Sequence, residues 1–135
     1  MKPIFCLYVF LFILVSFSCL SKREVQNCNE IKKGDFYFYP RTSSVKYSII
    51  RNGEFQKEVI LGTKDTTYWK MNWIDDCSYT LDYVSGGPEI FKEYPHYKTY
   101  IRILDVALNY YIMNVTLEKQ SMSETDTIWR SPMYK

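Results

Sequence analysis

Between Trp69 and Tyr83 the large apolar side chains fall on every second residue: Trp69, Met71 and Trp73, then Cys77, Tyr79, Leu81 and Tyr83. Lys70, Asn72, Ser78, Thr80 and Asp82 lie between them. A helix, turning about 100° per residue, would scatter such a set around its axis, whereas a strand places alternate side chains on opposite faces. Two strands are therefore predicted, joined through Ile74-Asp75-Asp76, with one heavy aromatic face and one polar face. A lone hairpin cannot keep such a face from water. The rest of the chain must supply partners.

It does so with the same local pattern. Asp35 to Tyr39 is a short aromatic run stopped by Pro40, and Val45 to Arg51 and Glu54 to Leu61 flank Asn52-Gly53. Asn-Gly can place both central residues at positive φ, as a type I′ turn requires, so a hairpin is predicted there. Lys98 to Val106, Tyr110 to Glu118 and Thr125 to Pro132 follow, with Tyr111, Met113, Val115 and Leu117 sharing one face. Ser85-Gly86-Gly87-Pro88 reads as a flexible loop, and Glu89 to Tyr94 as a helical turn or a loop over a barrel mouth. About eight strands, spaced by roughly 8 to 12 residues, predict an all-β fold: a small antiparallel barrel or sandwich spanning residues 31–135 as one domain.

The N-terminus has a different character. Ile4 to Val15 is an unbroken apolar run preceded by Lys2 and followed by Ser16-Phe17-Ser18-Cys19. As a helix it would span about 18 Å, short of the roughly 30 Å hydrocarbon core, so residues 1–18 read as a signal peptide rather than a membrane span. Cys19, directly after a small residue, resembles the lipidated cysteine of bacterial lipoproteins. Ser16 and Ser18 also satisfy an ordinary signal-peptidase site, so anchoring through Cys19 and plain secretion are both compatible with these residues. Residues 19–30, polar and without periodicity, read as a tether.

Cysteine parity follows from this reading. Of four cysteines, Cys6 falls in the signal and Cys19 at the lipidation position, which leaves Cys28 and Cys77. In an oxidising compartment they suggest one disulfide closing a loop of about 50 residues, against the alternative of two buried free thiols.

Composition narrows the function classes. Seventeen basic residues against 15 acidic give a formal charge of +2, which is no footprint for nucleic acid. There is no Gly-rich phosphate loop, no Gly-x-Ser-x-Gly elbow, no His-Glu-x-x-His and no Cys-x-x-Cys. The single His96 has no partner nameable from sequence, and Asp75-Asp76 suits a tight turn better than a cation site. No catalytic residue, metal ligand or cofactor is assigned. Trp69, Met71, Trp73, Tyr79, Leu81 and Tyr83 are the candidate ligand-facing residues, either as filled core or as the wall of an apolar cavity.

Ile50-Arg51-Asn52-Gly53-Glu54-Phe55-Gln56-Lys57-Glu58, followed by Met71 to Leu81 with its Trp-x-x-Asp-Cys-x-Tyr-x-Leu spacing, resembles a family of small uncharacterised cell-envelope lipoproteins of Bacteroidetes-type bacteria. The likeness covers Cys28 to about Tyr83. It implies a lipocalin-like β fold, a Cys28 to Cys77 bridge and no established activity. The expectation is a non-catalytic binding or structural module, with a lipocalin-like carrier of a small apolar ligand as the first alternative and a secreted enzyme or inhibitor as the second. Its partners would be a membrane, through an N-terminal lipid, and a small apolar ligand or an envelope protein.

Overall fold

The computed structural model describes residues 27–89, 98–118 and 123–133. The signal segment, Cys19 and His96 lie outside these residues. Among the described residues no helix is long and apolar enough to cross a membrane.

Eight antiparallel strands follow one another around a closed barrel: β1 (Lys33–Phe38), β2 (Tyr47–Asn52), β3 (Phe55–Ile60), β4 (Thr66–Asp75), β5 (Ser78–Gly86), β6 (Lys98–Val106), β7 (Tyr110–Leu117) and β8 (Ser123–Trp129). Each strand pairs with its neighbour in sequence, and the ring closes where Tyr37 and Phe38 of β1 meet Trp129 and Ile128 of β8. Of the two predicted all-β forms, the chain takes the barrel.

The alternation that predicted the strands also sets what points inward. On β4, Thr67, Trp69 and Met71 are buried while Tyr68 and Lys70 are exposed. Cross-strand register carries this ring to ring: Trp69 faces Tyr83, Met71 faces Leu81, and Trp73 faces Tyr79, which in turn faces Ile101. Register shifts at Tyr68/Trp69, Trp73/Asp75 and Ile103/Asp105 add the bends that let so few strands curl closed.

Two local expectations are corrected. Asn52 does not adopt positive φ; of the Asn52-Gly53 pair only Gly53 does, at φ 103°. Asn52 is held extended by pairing with Lys33 of β1, and its Oδ1 accepts hydrogen bonds from the amides of Glu54 (3.1 Å) and Phe55 (2.8 Å). The hairpin stands, but it is closed by a side chain rather than by a type I′ turn. The folded body also begins earlier than the polar composition suggests. Cys28–Ile31 forms a 3-10 helix, capped by Asn27, with Cys28 and Ile31 buried.

That helix plugs one end of the barrel. The β2–β3, β4–β5 and β6–β7 connections lie at the same end, and all are tight. The other end carries the β1–β2, β3–β4, β5–β6 and β7–β8 connections. The barrel therefore has a plugged end and a loop-bearing end.

Candidate ligand cavity

At the plugged end the interior is built around a buried arginine. Alternation along β2 puts Tyr47, Ile49 and Arg51 inside, and along β3 Gln56, Glu58 and Ile60. Arg51 is 4% exposed and Gln56 2%. A guanidinium there must be fully hydrogen-bonded. Nε donates to Gln56 Oε1 at 2.7 Å, Nη1 to the Ile31 carbonyl at 3.2 Å and Nη2 to the Tyr79 hydroxyl at 2.7 Å. The rings of Phe36, Tyr79 and Tyr111 surround the guanidinium carbon at 5.2, 5.2 and 5.4 Å. Burial alone would lower its pKa, but the neighbouring Tyr111, Tyr79 and Glu58 groups outweigh burial and it stays charged. Burial pushes the Tyr79 and Tyr111 hydroxyls up, so both stay neutral.

The plug is fixed on three sides. Cys28 is bridged to Cys77, with their Cα atoms 5.3 Å apart, which ties the 3-10 helix to the β4–β5 turn. Arg130 beyond β8 donates to Glu30 at 3.0 Å. Arg51 holds the Ile31 carbonyl from within. Trp73 joins two of the turns at this end, its Nε1 donating to the Gly53 carbonyl at 3.0 Å. Asp75 accepts from the Cys77 amide at 2.8 Å, the turn role expected for it.

Beyond Gln56 the filling stops. A cavity of about 320 Å³ occupies the loop-bearing half of the barrel. Its walls are Ile49, Trp69, Leu81, Ile101, Met113 and Val115, and towards the rim Phe38, Tyr47, Ile60 and Leu117, with Pro40 and Pro88. Two acidic side chains, Glu58 and Asp126, interrupt this apolar surface, and no lysine, arginine or histidine among the described residues lines it. The volume sits at the lower end of the range for small-molecule sites and matches what an eight-stranded barrel can enclose.

Glu58 links the two halves. Gln56, whose oxygen is taken by Arg51, turns its amide NH2 to Glu58 Oε1 at 2.6 Å. Glu58 is half-buried, and as a lining residue it faces the cavity. Burial raises its pKa against the opposing effects of Gln56, Trp69 and Arg51. Asp126, on the β8 wall opposite Met113, is raised by burial and by Glu124, and Arg41 pulls it the other way.

The six candidate ligand-facing residues divide between these halves. Trp69 and Leu81 line the cavity. Met71 and Tyr79 are buried in the packed core, Tyr79 bonded to Arg51. Trp73 packs at 4.6 Å on Tyr79 near the plug. Tyr83 sits edge-on to Trp69 at 5.8 Å and donates to the Gly86 carbonyl at 2.8 Å. Gly86 has φ 80°, and a Cβ there would collide with the Thr66 carbonyl, so glycine is required where β5 leaves the wall. Sequence reasoning missed Arg51, Gln56 and Glu58 as interior groups. The available signal was their shared period of two with Ile49 and Ile60.

Compared with known proteins, the chain matches no protein-family model, no curated protein and no solved structure. What the geometry defines is a class: a closed eight-stranded up-and-down barrel with one plugged end and one cavity-bearing end.

Proposed function

We propose that this is a non-catalytic binding protein of the bacterial cell envelope that takes up one small, largely apolar molecule in its barrel, in the manner of lipocalin-like carriers. The observation that supports it is the 320 Å³ cavity, whose wall is apolar on nearly every strand. A well-packed core leaves few voids larger than a water molecule, so a space this large in a barrel packed at its other end favours an occupant. Val115→Phe should narrow the cavity and weaken uptake of an apolar probe such as n-octanol, followed by native mass spectrometry, while changing stability by less than about 1 kcal/mol. Unchanged uptake in that variant would refute the cavity as the site.

Anchoring belongs to the same proposal. A disulfide fits an oxidising compartment, as export through residues 1–18 would provide. Asn27 enters the fold at the plugged end, so a lipid on Cys19 would turn that end to the membrane and the cavity mouth away from it. The intervening residues reach at most about 3.6 Å each, which keeps the barrel close to the bilayer. Cys19→Ala should release the protein from sedimented membranes. Retention in the pellet would refute the anchor.

A further inference from the structure

The cavity wall carries a charge pattern as well as a shape. On an apolar surface its two carboxyl groups are Glu58, beside Gln56, and Asp126, on the β8 wall. Arg51, the nearest interior cation, is turned away. Three of its donors go to Gln56, Ile31 and Tyr79, so its hydrogen bonds reach Glu58 only through the Gln56 amide, although its charge still acts on Glu58. A carboxylate has about four acceptor positions, so Glu58 keeps acceptor capacity beyond its bonds from Gln56 and Trp69. Tyr47 and Trp69, aromatic faces suited to a nearby cation, line the same space. Arg41 lies outside the cavity in a neighbouring groove and offsets only Asp126.

We propose that the ligand is a cationic amphiphile, an amine with a short alkyl or aromatic body, whose ammonium pairs with Glu58 and whose body fills the space between Trp69, Leu81 and Val115. This deepens the binding reading of the preceding section and rests on it. A fatty-acid carboxylate would bring a third acidic group into a low-dielectric space with no lysine, arginine or histidine among the described residues lining it, and like charges there repel strongly. A neutral hydrocarbon would add no counter-charge at Glu58 beyond that of Arg51. Burial already disfavours the ionised form of Glu58, and an ammonium would relieve that cost.

The test compares three probes of equal chain length, n-octylamine, n-octanol and octanoate, titrated into the full-length chain at neutral pH by calorimetry. Octylamine should bind at least about tenfold more tightly than octanol, and octanoate most weakly, a tenfold ratio being about 1.4 kcal/mol. Glu58→Gln should remove the preference for octylamine over octanol, and Asp126→Asn should reduce the preference by less. Equal binding of the three probes, tighter octanoate binding, or an undiminished octylamine preference in Glu58→Gln would overturn the amine assignment while the cavity reading stands. If none of the three binds, both readings fall.

Discussion

At the plugged end of the barrel, Arg51 donates in three directions, three aromatic rings enclose it, and a disulfide holds a 3-10 helix over it. Further along the barrel, the same strands continue past Gln56 and enclose a space that no described side chain fills. Both halves use inward positions of one sheet, so the difference lies in side-chain choice rather than in architecture. Arg51, enclosed by Phe36, Tyr79 and Tyr111, occupies one half; Trp69, Leu81, Ile101, Met113 and Val115 line the open space of the other. One end is packed and bonded, and the other keeps an open space.

The comparison breaks most readily at Arg51. Arg51→Ala removes the one partner shared by Gln56, Tyr79 and the Ile31 carbonyl, and should cost about 3 to 5 kcal/mol in urea unfolding, enough to compromise folding. A loss below about 1 kcal/mol would mean that the plugged end is not what holds the barrel. Reducing the Cys28 to Cys77 bridge frees the plug from the β4–β5 turn, and should lower stability by about 2 to 4 kcal/mol in the same assay. An unchanged transition would remove the disulfide from this role.

Glu58 sharpens the comparison because it stands between the halves. Its folded pKa is raised, chiefly by burial, so its stabilising contribution is fully present below the ordinary carboxyl value of 4.5 and is lost as pH rises through the folded value. Glu58→Gln, which stays neutral, should therefore be more stable than the parent at pH 7 and equal to it at about pH 4, a smaller effect than the two above. A variant less stable at pH 7 would show that the Gln56 and Arg51 contacts outweigh burial.

Much of the wall was legible in the sequence, because a strand's period of two survives any tertiary context. Trp69, Met71, Tyr79, Leu81 and Met113 are inside as alternation demands. Closure was not legible. It depends on Tyr37 and Phe38 meeting Trp129 and Ile128 across almost the whole chain, and no local pattern encodes a pairing that distant. The polar interior was hidden for another reason. On β2 and β3 the outward face also carries large apolar groups, Ile50 at 42% and Phe55 at 44% exposed, so neither face of that hairpin reads as the inner one. The division of the aromatic stripe into core and cavity wall was equally invisible, since it depends on distance from the plug and not on alternation.

The most direct measurement is amide chemical-shift mapping by NMR on the full-length chain as n-octanol is added. The expected result is a set of shifts confined to the cavity half, at Ile49, Glu58, Leu81, Ile101, Met113 and Val115, with Arg51, Trp73 and Cys77 unmoved. Shifts confined to the outer face or to the plugged end, or none at saturating probe, would contradict a barrel built to be stable at one end and to bind at the other.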